Sequence, residues 1–439
     1  MTPNENKKLV VIQVAGLGHD FLTKHQSTTL AGLDFHPIDS VFPAVTCTAQ
    51  ASFRTASLPS AHGMTSNGVY NRQFRKPFFW EQSSALVSGQ RIWQDFSASG
   101  KSVAMLFWQQ SLGENVDIIL SPAPIHKHHG GMIQDCYSQP APLYQQLCHK
   151  IGRPFSLRHY WGPMASEKSS QWIAEATAHL LTDQALAPDL CLTYLPVLDY
   201  DLQRFGPDHP RALAALNSLK RQLALITTAA KTHGYQILVF GDYAIANCNL
   251  PAVYPNLALA EAGLLSLREI NGMKYADIHT SRAFAMVDHE MAHVYVNNPA
   301  DIPQTRDILQ ALDGIDQVMD QQDKDRAGIN NPSSGELVLL ANEGQWLAYP
   351  WWSKPSDAPD YASHVDIHNK PGYDPCELFW GWPPGSISTN PAKINGTHGR
   401  IGSQRKIAWS STLSALADNE ICSLVDLAQA TASWLNGTQ

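Results

Sequence analysis

Residues 9–18 read LVVIQVAGLG. Six strand-forming residues run almost without polar interruption, and Gly16 and Gly18 then break the run. A continuous apolar run of this length suits a strand covered on both faces, because a half-exposed strand would alternate polar and apolar positions. Three later segments have the same apolar character, at residues 102–107 (SVAMLF), 190–195 (LCLTYL) and 236–240 (QILVF). Between them lie helical patterns. Residues 170–181 have helical spacing with a Ser at the start. Residues 210–231 form a long amphipathic repeat, with Pro210 in its first turn and Gly234 just past its end. Strands alternating with helices predict an α/β fold, a mostly parallel sheet with helices on both faces.

In such sheets, ligands gather outside the carboxyl ends of the strands. That rule selects the polar clusters AGLGHD, SVFPAV before Thr46, PVLDYDLQRFGPD and GDYAIAN as candidates for one shared rim. From about residue 250 to 396 the texture changes. ALAEAGLL reads as a short helix, SRAFAMVDHEMAHVYVN alternates as in a smaller sheet, and ELVLLANEGQWLAYPWW is strand-like and aromatic. We read residues 1–439 as one α/β domain, with about 250–396 as an inserted α+β cap within it.

Composition narrows the function. Only 16% of the residues are charged, below the usual ~25%. The net charge of −8 argues against binding a nucleic-acid polymer. It also means that an anionic small molecule needs a local cation or a set of donors. The seven cysteines are scattered, with no CxxC spacing, as expected of reduced thiols in a cytoplasmic protein. The first apolar run is short and lacks a small-residue cleavage site behind it, so it reads as a buried strand rather than a leader. No segment reaches the ~18 apolar residues of a membrane span.

The chemistry centres on residues 42–68, FPAVTCTAQASFRTASLPSAHGMTSNG. Thr46 stands where an apolar segment gives way to a helix start, so it is either an N-cap or a nucleophile. A Thr hydroxyl attacks only when a base or a metal helps to remove its proton. The free N–H groups of a helix start favour an anion there.

These motifs, in this order, resemble the alkaline phosphatase superfamily, in particular its nucleotide pyrophosphatase/phosphodiesterase branch. The resemblance runs from the first strand to Gly399. It implies that Thr46 attacks phosphorus and that Asn67, 67 − 46 = 21 residues on, holds a phosphoryl oxygen. It also implies a small-molecule phosphate ester as substrate. The family's metal residues fall on Ala15, Asp199, Gln203, Asp242, Tyr243 and His398, so Asp, His and His have become Ala15, Gln203 and Tyr243. The expected metal set is therefore Asp199, Gln203, Asp242 and His398, holding a divalent ion (zinc, manganese or magnesium), as a pair or singly. An oxygen-rich set suits Mg²⁺ or Mn²⁺ better than Zn²⁺.

Asp201, Asp366 and His368 are further metal or site candidates, and His364 and Asp374 belong to the same stretch. HVDIHNKPGYDP resembles a segment of a bacterial branch of this family, whose first strand also tends to lack its Asp. Arg204 is the expected substrate-binding cation, being closest in sequence to the cluster; Arg54 and Arg400 are others. His126, His128, His129 and His293, and the aromatic runs 78–80 and 349–352, read more simply as loop or core. The resemblance implies a phosphoesterase. A homologue acting as a binding or scaffold protein, or a phosphoryl transferase, is the alternative.

Overall fold

A computed structural model of the chain describes residues 7–129, 131–417 and 420–437. The strands that matter are β1 (Leu9–Val14), β2 (His36–Ile38), β3 (Val103–Leu106), β4 (Ile118–Ser121), β5 (Tyr137–Gln139), β6 (Leu190–Leu195), β7 (Gln236–Gly241), β8 (Ala283–Asp288), β9 (Met291–Val296), β10 (Ile315–Met319), β11 (Leu337–Ala341) and β12 (Ile407–Ser411). The main sheet has the order β5-β4-β3-β6-β1-β7-β12-β2. Its middle, β4 to β7, is parallel. The edge strand β5 is antiparallel to β4, and β12 is antiparallel to both β7 and β2.

β1 explains its own sequence. Val10, Ile12 and Val14 enter one core, while Leu9 and Val11 enter the other. On one face lie α1 (Thr46–Thr55) and, near the C-terminus, α5 (Leu424–Asn436), through Ala49, Phe53, Leu424 and Leu427. On the other lie α2 (Glu167–Leu181) and α4 (Pro210–Thr232), through Trp172, Ile173, Leu216 and Leu223. Between β6 and α4 sits α3 (Val197–Phe205). Helix α2 starts three residues before the sequence pattern places it, with Ser166 at its N-cap. Its first turn, Glu167–Lys168–Ser169, carries no apolar residue to mark it.

The segment after β7 folds around a second, antiparallel sheet of order β8-β9-β11-β10. The expected alternation of β8 and β9 does not hold, because every residue of both strands is buried. The hairpin thus lies inside the molecule, and its tip reaches the candidate site. No helix among the described residues is long and apolar enough to cross a membrane.

Candidate active site

The carboxyl ends of β1, β6 and β7 converge. β7 ends on Gly241, where an added Cβ would lie 2.3 Å from the Leu17 carbonyl oxygen, so only glycine allows the β1 and β7 loops this close. Asp242 follows and is fully buried. Its Oδ1 accepts from the Gly16 and Tyr243 amides (3.1 and 2.9 Å), and its Oδ2 from Gln13 Nε2 (3.1 Å) and Thr46 Oγ1 (3.3 Å). Burial, opposed by these bonds and reinforced by Asp199, pushes its carboxyl up to about 8.

Thr46 is the first residue of α1, and Val45 is the N-cap, with no side-chain cap bond. The Thr46 hydroxyl is therefore not a cap. Its two contacts, Asp242 and the Tyr194 hydroxyl at 3.4 Å, are long. Asn67 Oδ1 accepts from the Cys47 amide (3.0 Å), and Asn67 Nδ2 donates to Asp288 Oδ1 (3.1 Å) at the tip of β8. That leaves one amide hydrogen of Asn67 for the cavity it lines.

Asp199 lies beside this group. Gln203, one turn along α3, donates Nε2 to both Asp199 oxygens (2.8 Å each), and Tyr243 OH donates to Oδ1 (2.8 Å). Gln203 Oε1 accepts from Tyr373 OH (3.0 Å). Burial nevertheless raises the Asp199 carboxyl above the usual range. His398 stacks flat on Tyr243, with ring centroids 3.5 Å apart, and donates Nδ1 to the Ala44 carbonyl (2.8 Å). Burial, with His289 next, holds the His398 ring well below its ordinary value.

Thr46, Asn67, Asp199, Gln203, Tyr243 and His398 all line one cavity of about 610 Å³, and Asp242 lies buried beneath Thr46. Trp80, Tyr160, Trp161 and Tyr373 wall it, and the exposed Met132, Met164, Val365 and Trp380 ring its mouth. Arg158 is its one lining guanidinium among the described residues.

The other expected residues separate. Arg204 is not in the cavity; its guanidinium is spent on the carbonyls of Leu378, Ala165, Gly162 and Pro163 and on Asp201. The cause is helix geometry: positions four apart, such as 199 and 203, share a face, and one further residue turns ~100° away. Asp201 follows Arg204 out of the site. Asp366 and His368 do line the cavity; Asp366 binds the Asn369 amide, and His368 Nδ1 donates to the Phe79 carbonyl (3.0 Å), which leaves its buried Nε2 without a partner among the described residues. Asp374 caps Cys376 instead. Arg54 is buried against Glu114, and Arg400 binds Ala341 and Asp316. His293 is a core residue bonded to Thr65 and Gly335. Trp80 and His126 reach the cavity, where the sequence pattern suggests core and loop.

The roof of the cavity hangs on a buried ion cluster. Lys370 Nζ sits 2.8 Å from both Asp374 and Glu377. Glu377 also accepts from the Asp366 amide (2.9 Å) and Trp161 Nε1 (2.6 Å). Lys370→Met would strand two buried carboxylates, so chemical denaturation should show a loss of about 3–5 kcal/mol. A loss under ~1 kcal/mol, the scale of an exposed pair, would refute this role.

The residues do not fit the metal pair that the resemblance implies. Ala15 offers no ligand. Gln203 turns its amide hydrogens, not its oxygen, to Asp199, and the Tyr243 hydroxyl is a donor to the same carboxylate. Among the described residues, no three His, Cys, Asp or Glu side chains are grouped to hold a metal ion. Neutral donors surround Asp199 where the family pattern has cation ligands.

His289 and Asp288 escape the sequence pattern, which singles out His293 in the same segment. The signal is the two-residue turn DHEM itself: Asp288 pairs with Met291, and His289 takes φ +61°.

A helix-borne Thr beside strand-end carboxylates in a deep cavity, on a large mixed sheet, defines an alkaline phosphatase-like α/β protein. More particularly, the chain belongs to the type I phosphodiesterase / nucleotide pyrophosphatase family, whose model matches residues 9–374. Members of this family are metal-dependent phosphoesterases. Among solved structures it is similar to phosphonoacetate hydrolase from Sinorhizobium meliloti 1021 in complex with phosphonoacetate (16% identity, TM-score 0.62, 98% of this chain and 96% of that one). It is also similar to murine ectonucleotide pyrophosphatase/phosphodiesterase 5 (14%, TM-score 0.60, 98% and 95%). At these identities the likeness is one of fold. No curated protein matches the chain.

Proposed function

We propose that the chain is a phosphoesterase that cleaves a singly charged phosphodiester through Thr46, with protein hydrogen-bond donors at the positions where the family pattern has metal ligands. The observation that carries this reading is the Thr46 hydroxyl, free of capping duty and 3.3 Å from Asp242 at the cavity floor. Ionised Asp242 takes the Thr46 proton as oxygen attacks phosphorus. The free Asn67 amide hydrogen and the α1 N-terminus hold non-bridging oxygens. Water then releases the phosphoryl group, and Thr46 recovers its proton from Asp242. One rim guanidinium and several neutral donors suit one negative charge better than two. The aromatic walls and apolar mouth suit an aryl or alkyl ester arm.

The test is an acid quench of the enzyme turning over an aryl phosphodiester. The expected result is a burst of released alcohol and a phosphoryl adduct that peptide mass spectrometry maps to Thr46. An adduct elsewhere, or turnover with none, sinks the assignment. Exhaustive chelation should leave turnover unchanged; a loss restored by zinc, manganese or magnesium would return the site to ion-assisted chemistry.

The residues Ala15, Gln203 and Tyr243 favour a second reading, a binding protein that retains the cavity without the chemistry. Calorimetric binding of the diester with no product would decide for it. An added alcohol acceptor appearing in the product would instead mark a phosphoryl transferase.

A further inference from the structure

We infer that His289 is the proton carrier of this site, acid to the departing alcohol and base to the incoming water. This rests on the phosphoesterase reading above. His289 is buried, borders the same cavity as Thr46, and lies between Tyr373 and His398 at ring-centroid distances of 3.8 and 3.7 Å. Its Nδ1 donates to Asp288 Oδ1 at 2.8 Å. Its Nε2 is buried and has no hydrogen-bond partner among the described residues. A buried ring nitrogen without a partner is costly, and natural cores rarely leave one. Here the ring is held in one tautomer by a carboxylate, and its second nitrogen is left for a ligand, as a general acid or base requires.

Two further observations agree. His289 adopts φ +61° in the two-residue turn between β8 and β9, a conformation that favours glycine there. Backbone strain of this kind gathers at functional sites, and here it sets the ring against the cavity. Asp288 also ties His289 to the nucleophile helix. It accepts from Ser66 Oγ, the Asn67 amide and Asn67 Nδ2, and Asn67 in turn accepts from the Cys47 amide. One hydrogen-bonded chain thus runs from the residue after Thr46 to the imidazole.

The proton balance closes. In the first step the bond from Thr46 oxygen to phosphorus forms and the bond to the alcohol oxygen breaks. The electron pair goes to that oxygen, which takes the Nε2 proton of the imidazolium. In the second step neutral Nε2 takes a proton from water, hydroxide oxygen bonds to phosphorus, and the bond to Thr46 breaks. Asp242 returns its proton to Thr46.

The test compares phosphodiesters whose arms differ only as leaving groups: nitrophenolate, which departs without a proton, and a simple alkoxide, which needs one. His289→Asn keeps a residue tolerant of positive φ. The burst of released alcohol, which reports the first step alone, should slow by ~10²–10⁴ for the alkyl ester and by no more than ~10-fold for the nitrophenyl ester, while breakdown of their shared adduct, which needs the base, slows for both. Equal losses of burst rate for both would overturn the inference while leaving the Thr46 reading intact. Wild type inert toward both esters would overturn the two together. A measurement on the wild type alone serves if the variant does not fold. Its burst rates should depend only weakly on leaving-group basicity, and a steep dependence would refute proton donation by His289.

Discussion

Thr46→Ala is expected to lower diester turnover by roughly 10³-fold or more, the scale set by removing a covalent nucleophile. The burst of alcohol and the covalent adduct should vanish with it. Stability should barely change. Among the described residues the hydroxyl makes only contacts of 3.3 and 3.4 Å, and it caps nothing, so the loss should stay within about 1 kcal/mol. Chemistry is what separates the two readings of a Thr at a helix start: removing a capping Thr would cost stability alone and leave turnover and the adduct unchanged. Wild-type rates in the variant would remove Thr46 from the mechanism.

Asp242→Asn should lower turnover by ~10²–10⁴, because the base that takes the Thr46 proton is lost. The pH dependence follows from the carboxyl, which burial lifts from 3.8 to about 8. The base is the ionised form, so wild-type turnover of the nitrophenyl ester, whose leaving group needs no proton, should climb with pH and level off above about 8. Stability runs the other way. A carboxyl raised in the folded state supports the fold fully below 3.8, and that support is lost as pH rises through about 8. Asp199, also raised by burial, tilts the same slope, so only the difference between variant and wild type isolates Asp242. Asp242→Asn should therefore melt higher than wild type at pH 9 and lose that advantage as the pH falls. A variant that melts lower than wild type at pH 9 would contradict a protonated resting carboxyl.

The strands β1, β3, β6 and β7 were legible because burial on both faces demands unbroken apolar runs. The strands β2 and β5 were not, since strands of three residues carry too few positions to set a period. Thr46, Asn67, Asp199, Gln203 and His398 were legible through motif order, and they do line one cavity. Arg204 misled because nearness in sequence is not a shared helix face. His289 escaped because its role depends on a hairpin turn that brings it across from another sheet, a contact no local pattern encodes. The displaced metal ligands were visible as letters, but their new task was not. Only the three-dimensional arrangement has the Gln203 amide and the Tyr243 hydroxyl donating to Asp199.

That arrangement bears on how the protein matures. A phosphoesterase built on ions is assembled twice, first as a fold and then by acquiring its cargo from a shared pool. Here the groups around Asp199 come from the chain itself, on α3 and at the end of β7. Under the mechanism proposed here, the site is complete once the sheet closes. On that mechanism its output would follow the amount of folded protein, not the supply of any trace element.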